Sequence, residues 1–212
     1  MASRISDAVI RRLPMYYRQL CALKQEGVSR ISSMKLSALM NITASQIRQD
    51  LNCFGGFGQQ GHGYPVAALR RHIAEILGID RKYSVVIIGA GNIGQALSHY
   101  ARFGSEGYEI TALFDIDPGL AAKRAGGAAV LHMDRLEEFI GANPADIAVI
   151  AVPAHAAAQT AERLAAAGVK AIWNFAPVEI VQDGVVVENA QLTDGLMALT
   201  YRLGELRRSG AI

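Results

Sequence analysis

Residues Tyr83–Asp115 read Y-S-V-V-I-I-G-A-G-N-I-G-Q-A-L-S-H-Y-A-R-F-G-S-E-G-Y-E-I-T-A-L-F-D. A β-branched run, Val85 to Ile88, leads straight into Gly89-Ala90-Gly91-Asn92-Ile93-Gly94. An amphipathic helix is expected next, with Ile93, Ala96, Leu97 and Tyr100 on one face, and then a second apolar strand, Ile110–Phe114, that ends on Asp115. Each glycine has a task in a dinucleotide site. Gly89 permits the tight turn, Gly91 lets backbone amides approach a pyrophosphate, and Gly94 lets the helix lie close to the strand. The helix start supplies oriented N–H groups and the positive end of its dipole. The glycine pattern alone is a weak signal; flanked by both strands and an acid it predicts a dinucleotide site. Asp115 stands 21 residues after Gly94, where a carboxylate takes the ribose hydroxyls and repels a 2′-phosphate, which favours NAD(H) over NADP(H). Lys123 and Arg124 come later and read as a solvated turn.

The alternation continues downstream. Ala128–Leu131 reads as a weak strand and Asp134–Ile140 as a short helix. Asp146–Val152 reads as a buried strand, Ala154–Ala167 as an alanine-rich helix, and Val169–Trp173 as a further strand ending on Asn174-Phe175-Ala176-Pro177. This order predicts a parallel sheet with helices on both faces and ligands at the carboxyl ends of its strands. Ile116 follows the acid, and Val152-Pro153-Ala154 with Asn174 and Phe175 are expected on the nicotinamide side. Val178–Val181 and Val185–Val187 look like a terminal hairpin. The last helix, about Gln191 to Arg208, carries Leu192, Leu196, Leu199, Leu203 and Leu206 at spacings of four and three. Such a stripe suits either a helix lying on its own sheet or one that forms a dimer.

Upstream the pattern changes. Residues 5–26 are helical by spacing, with Pro14 predicting a break or kink near Leu13 and Gly27 a stop. A short helix, Met34–Met40, is capped by Ser32 or Ser33. Thr43-Ala44-Ser45-Gln46 matches a capping box, in which Thr43 covers the Gln46 amide and Gln46 reaches back. The helix it opens sets Ile47, Leu51 and Phe54 on one face and Ser45, Arg48, Gln49 and Asn52 on another. Two tightly joined helices, the second with a polar, hydrogen-bonding face, predict a helix-turn-helix with a recognition helix. The glycine-rich stretch from Gly55 to Tyr64, including Gly58-Gln59-Gln60-Gly61, reads as a hairpin wing able to run along a phosphate backbone. A small helical bundle and a flexible linker are the alternatives for this region. Val66–Ile79 gives another helix stopping at Gly78, with a boundary at Asp80-Arg81-Lys82. The expected division is a winged-helix DNA-binding domain over 1–80, a Rossmann-like domain over 81–188 and a C-terminal helix over 189–212.

Charge follows that division. Residues 1–82 carry 12 basic against 5 acidic side chains, and residues 83–212 carry 9 against 14, although the whole chain is only +2. A basic front end on an acidic domain suits a polyanionic partner. No apolar run reaches membrane-spanning length, and M-A-S-R-I-S-D at the start has no signal-peptide core. Cys21 and Cys53 form neither a disulfide framework nor a metal site, so a reducing cytoplasm is expected. Cys53, on the recognition helix, is expected to pack as a small side chain rather than to sense thiols.

Taken in order, Arg12-Leu13-Pro14, Gln46-Ile47-Arg48 with Asp50-Leu51, Phe54-Gly55-Gly56-Phe57-Gly58, Gly61, Gly63-Tyr64, Gly89–Gly94, Phe114-Asp115-Ile116-Asp117-Pro118, Val152-Pro153-Ala154 and Asn174-Phe175-Ala176-Pro177 resemble one family over nearly the whole chain. It is the family of bacterial redox-sensing transcriptional repressors, Rex. The resemblance implies a homodimer with the C-terminal helix swapped into the partner, and winged-helix binding to palindromic double-stranded operator DNA. It also implies release by NADH, with NAD+ competing for the same pocket. By the same match Tyr100, with Phe103 near the nicotinamide, is the switch tyrosine, and Arg18 is the arginine of the first helix that contacts it. Three positions depart from the family pattern. Gln191 stands where an Asp pairs with that arginine, which leaves Asp194 as a substitute; Gln49 stands where a lysine is common; and Gln59-Gln60 replace basic residues in the wing.

Two other functions fit parts of the chain. A dehydrogenase needs a proton donor beside the nicotinamide, for which His155 is the first candidate and Lys170 and His132 follow. The second half also resembles CoA-binding domains, which allows a nucleotide- or CoA-binding regulatory module without DNA affinity. No catalytic residue and no metal ligand set is expected.

Overall fold

The computed structural model describes residues 5–55, 63–121 and 123–210, which divide between Arg81 and Lys82 into two units. In the first, α1 (Asp7–Gln25), α2 (Ser33–Met40), α3 (Ala44–Asn52) and α4 (Val66–Leu77) accompany an antiparallel pair, β1 (Arg30–Ile31) and β2 (Tyr64–Pro65). Leu13, Tyr16, Leu20, Leu36, Ile47, Leu51, Leu69 and Ile73 form its core.

Of the break or kink expected near Leu13, the break does not occur: α1 runs through Pro14 without interruption. A proline inside a helix costs about 3 kcal/mol, but the buried stripe continues on both sides of it as Val9, Leu13, Tyr16, Leu20 and Leu23. Burial of such side chains at roughly 1.5–3 kcal/mol each exceeds that cost. The helix stops where the Gly27 and Val28 amides donate to the Lys24 and Leu23 carbonyls, at 3.1 and 2.9 Å. Ser32, not Ser33, caps α2 by accepting from the Lys35 amide at 3.1 Å. Only half of the capping box forms at α3. Thr43 Oγ1 accepts from the Gln46 amide at 3.2 Å, but the Gln46 side chain donates to Asp50 Oδ1 at 2.7 Å instead of turning back.

The second unit is built on a seven-stranded sheet in the order β5-β6-β4-β3-β7-β8-β9. These strands are β3 (Tyr83–Ile88), β4 (Tyr108–Asp115), β5 (Arg124–Ala125), β6 (Ala128–His132), β7 (Ile147–Ile150), β8 (Ala171–Asn174) and β9 (Val186–Asn189). All pairs are parallel except β5 with β6. Without the short β5, the order is that of a doubly wound dinucleotide fold, with the crossover direction reversing between β3 and β7. Val86, Ile88, Phe114 and Ile150 pack on one face with Leu136 of α7 (Leu136–Ala142) and Leu164 of α8 (Ala154–Ala166). Val85, Ile87, Leu113 and Val149 pack on the other with Leu97 of α5 (Asn92–Ser98). Burial on both faces is why these strands read as continuous apolar runs.

Four expectations are corrected here. The helix after the glycine loop ends at Ser98 and resumes as α6 (Arg102–Ser105), and its buried residues are Gly94 and Ser98 while Ile93, Ala96 and Tyr100 are exposed. Gly94 decides this rotation: a Cβ there would lie 1.9 Å from the Gly89 carbonyl oxygen, so the smallest residue must face the strand. Arg124 belongs to the edge strand β5 rather than a turn, and its guanidinium donates to the Gly127 carbonyl. The hairpin over 178–187 does not form; only Val186–Asn189 is a strand, parallel to β8. The backbone around Val178–Ile180 is held by side-chain amides, with Asn174 donating to the Val178 carbonyl at 2.7 Å and Asn189 bonding both the amide and the carbonyl of Ile180. Finally, α9 begins at Asp194, ends at Arg208 and buries none of its residues. The leucine stripe therefore does not lie on its own sheet.

Candidate functional site

At the carboxyl ends of β3, β4 and β7, Gly89, Gly91, Asp115, Ile116, Val152 and Pro153 line a cavity of about 310 Å³ together with Met133, His155 and Thr160. The loop that forms it is tied at both sides. Asp115 Oδ2 accepts from the Ala90 amide at 2.7 Å and Oδ1 from the Asp117 amide at 2.9 Å. The Gln95 amide group donates to the Ala90 carbonyl at 2.8 Å. Gly89 has φ 99° and would bring a Cβ within 2.4 Å of the Ala151 carbonyl, so no other residue fits the turn. Gly91 differs. A Cβ there would meet nothing within 4 Å, which leaves an open concavity beside the backbone of the loop. Asn92 and Ile93 lie exposed in the first turn of α5, and Ala90 is buried beneath it.

Not every expected residue reaches this cavity. Asn174 is fully buried, and its amide is spent on the Val178 carbonyl, on Asn189 Oδ1 and on the Ala176 amide; it holds the loop after β8. Tyr100 and Phe103 line a separate cavity of about 680 Å³ with Lys82, His99 and Tyr108. Tyr100 is 50% exposed. Ring contacts run on from there: Tyr100 meets Phe103 at 5.0 Å, Phe103 meets Trp173 at 6.2 Å, and Trp173 meets Phe175 at 4.5 Å; Phe175, half-buried, is not among the residues that line the first cavity. Ala154 opens α8 and is exposed.

In the first unit, Ser45, Arg48, Gln49 and Asn52 share an exposed face of α3. Arg48 Nη1 donates to Ser33 Oγ at 3.1 Å, which steadies the guanidinium against α2. Gln46, expected both to close the cap and to contact DNA, is half-buried and engaged by Asp50. Gly58, Gln59, Gln60 and Gly61 lie outside the described residues. Arg18 is exposed on α1 and lines a shallow pocket with Met15 and Leu39. Gln191 precedes α9, and its carbonyl accepts from the amide of Asp194, an exposed residue of the helix's first turn.

The group that sequence reasoning passed over lies behind this exposed face of α3. Asp50 is 1% exposed and accepts from Arg12 Nε at 2.6 Å, Arg12 Nη2 at 2.8 Å, Tyr16 Oη at 2.7 Å and Gln46 Nε2 at 2.7 Å. Burial alone would raise the Asp50 carboxyl, but the hydrogen bonds from Arg12, Tyr16 and Gln46 outweigh it and hold it below the usual carboxylate range. Burial, then the neighbouring carboxylate, pushes the Tyr16 phenol up. A signal was present: an acid flanked by Ile47 and Leu51 on the apolar side of a helix requires a partner.

The proton donors of a dehydrogenase are scattered. His155 lines the cavity. His132 Nε2 contacts the Ile116 carbonyl, and its Nδ1 lies 3.1 Å from Asp134. Lys170 precedes β8 at the end of the sheet opposite the cavity. Among the described residues no helix is long and apolar enough to cross a membrane.

Comparison with known proteins follows the same division. The sequence profile of the CoA-binding domain matches residues 80–178, and one described as the N-terminus of putative DNA-binding proteins matches residues 4–52. The redox-sensing transcriptional repressor Rex of Clostridioides difficile is 51% identical over 202 residues, which span 95% of this chain and 96% of that protein. Rex of Caldanaerobacter subterraneus subsp. tengcongensis is 50% identical over 202 residues, 95% of this chain and 90% of the relative. The chain belongs to the Rex family. Among solved structures, RSP in complex with β-NAD+ and operator DNA is 47% identical with a TM-score of 0.91, covering 99% of this chain and 97% of that one. RSP in complex with β-NADH is 44% identical with a TM-score of 0.89, covering 99% of both chains. Membership in Rex sets the dehydrogenase reading aside, because these close relatives are transcriptional repressors and not enzymes.

Proposed function

We propose that this chain is a homodimeric repressor that reads a palindromic operator through α3 and leaves it when NADH fills the pocket at Gly89–Gly94 and Asp115. One observation carries the reading. The open concavity at Gly91 and the carboxylate of Asp115 stand together at the switch point of a Rex-family chain that matches RSP, bound to NAD+ and operator DNA, over 99% of its length. The residues fit a dinucleotide: Gly91 leaves room for a pyrophosphate, and Asp115 keeps acceptor lone pairs for a ribose after bonding two amides. They fit coenzyme A less well, since its ribose carries a phosphate that the same carboxylate repels.

NADH and NAD+ differ by a hydride and one positive charge, so the two arrangements of the dimer must differ at the nicotinamide. A ligand shifts an equilibrium only by its differential affinity, and moving it from 99:1 to 1:99 takes about 10⁴-fold. Phe175, Trp173, Phe103 and Tyr100 are continuous ring contacts from the carboxyl end of β8 to the turn after α5, and we assign the sensing of ring charge to that side. The decisive experiment is selection of bound duplexes from random DNA, followed by titration of the selected duplex with NADH and NAD+. Loss of DNA binding with NADH alone supports the reading; equal retention with both nucleotides defeats it. The reading also assigns the chain to the cytoplasm.

Two variants probe its parts. Ser33→Ala removes the bond that steadies Arg48 and is expected to weaken operator binding by about two- to tenfold, the worth of one hydrogen bond, while the melting temperature holds. Gel shifts at matched salt measure it. Gln191 cannot pair ionically with Arg18, and Asp194 is the nearest acid on α9 able to take its place. Asp194→Ala is then expected to change the NADH concentration that releases operator by roughly two- to fivefold, the scale of an exposed ion pair. An unchanged release curve rejects the substitution.

A further inference from the structure

We propose that Arg12, Tyr16 and Gln46, gathered on the buried carboxylate of Asp50, form the positioning device that fixes the rotation of the DNA-reading helix α3 about its own axis. The proposal rests on the DNA-binding reading above and deepens it.

Asp50 sits between Ile47 and Leu51 on the inner side of α3, behind the exposed Arg48, Gln49 and Asn52. Two donors come from successive turns of α1, Arg12 and Tyr16, and one from the preceding turn of α3 itself, Gln46. Arg12 binds with two nitrogens, one to each carboxylate oxygen, at 2.6 and 2.8 Å. A planar fork of this kind fixes angle as well as distance. Tyr16 Oη shares Oδ2 with Arg12 Nε, and Gln46 Nε2 shares Oδ1 with Arg12 Nη2, so both oxygens are held twice.

Stability is a poor reason for such a cluster. A buried ion pair is often no more stabilising than apolar side chains of the same volume, and its best-attested use is to fix one geometry among several. Apolar contacts between α1 and α3 would tolerate a small roll of one helix on the other; a bidentate carboxylate does not. Side chains reach about 5–6 Å from a helix axis, so a roll of about 20° carries their tips roughly 2 Å. That displacement breaks hydrogen bonds to base edges, which have a usable range of only about 0.5 Å. Contacts to the phosphate backbone, by contrast, are held by longer-ranged charge. The device therefore acts on sequence discrimination and leaves general DNA affinity in place. It also makes α1 and α3 turn together, so a displacement of α1 reaches the reading face undiminished.

The test uses the full chain, with the duplex selected by the wild type and a scrambled duplex of the same composition, each measured by fluorescence anisotropy over a range of salt. The double variant Arg12→Met with Asp50→Leu replaces the cluster by apolar volume. It leaves the buried Tyr16 hydroxyl without its acceptor and is expected to melt a few degrees below the wild type, to bind NADH as the wild type does, and to keep the salt slope on scrambled DNA. Its operator-to-scrambled affinity ratio is expected to fall by about tenfold or more, the scale of one misread base pair. Tyr16→Phe keeps the ring and the ion pair and is expected to lower the same ratio by a few-fold. A wild-type ratio in the double variant overturns the proposal. Should the double variant melt well below the wild type, Tyr16→Phe decides alone, with a fall in ratio supporting the proposal and a wild-type ratio overturning it. A wild type that shows no operator preference at all defeats the DNA-binding reading itself, and that result is distinct from either of the others.

Discussion

Gly91→Val is expected to give a repressor that folds, binds operator and no longer responds to NADH. The position accepts a side chain in the protein itself: nothing lies within 4 Å of the point where a Cβ would stand, and the backbone does not need the left-handed region. What the valine fills is the concavity left beside the glycine loop, where a pyrophosphate must come within hydrogen-bond distance of backbone amides. Excluding it should weaken NADH by about 100-fold or more, roughly 3 kcal/mol, with the melting temperature of the unliganded protein unchanged. Gly94→Ala is the contrasting control. Its Cβ would sit 1.9 Å from the Gly89 carbonyl oxygen, so the backbone of the loop or of α5 must move. Overpacking of this kind costs roughly 3 kcal/mol, and the second unit should melt about 6–12 °C lower. Calorimetric titration with NADH and thermal melts separate the two. A Gly91→Val protein that binds NADH as the wild type does would falsify the assignment of the pocket.

The second large effect concerns α9. Leu196, Leu199 and Leu203 are exposed in the single chain, Leu196 at 64%, and they repeat at coiled-coil spacing. On the proposal that α9 forms a dimer, Leu196→Asp combined with Leu203→Asp should convert that dimer to a monomer, because each carboxylate would have to be buried without a partner. With both half-sites no longer held by one molecule, operator affinity should fall by roughly 10²- to 10⁴-fold. Sedimentation and gel shifts measure this, and NADH binding by the second unit serves as the check on folding. A double variant that still sediments as a dimer places the interface elsewhere.

The sheet was legible because its strands are buried on both faces and so declare themselves as β-branched runs. The glycine loop and Asp115 were legible because their spacing is dictated by one turn of backbone and one crossover. The rotation of α5 was not, since hydropathy favours Ile93 and Ala96 as inward residues, whereas the approach of Gly94 to the Gly89 carbonyl settles the matter. Pro14 does not end its helix for a related reason: local propensity is overridden by the buried stripe on both sides of it. On α3 the outward residues followed from helical spacing, but the side chain of Gln46, allotted to the cap, is drawn instead to the buried carboxylate of Asp50, whose partners lie on a distant helix. The companion cavity at Tyr100 and Phe103 had no signal in the chain, because ring-to-ring contact between α6 and β8 is a property of packing.

The amide web of Asn174 and Asn189 also bears on how the molecule behaves in company. The sheet ends at β9, a four-residue strand with one pairing neighbour, and the chain just before it, Val178-Glu179-Ile180-Val181, is rich in residues that pair readily edge to edge. By binding the backbone of Val178 and Ile180, two asparagines occupy groups that would otherwise recruit a neighbouring molecule. A margin whose backbone groups are already bonded within the molecule offers fewer free groups to a neighbouring strand.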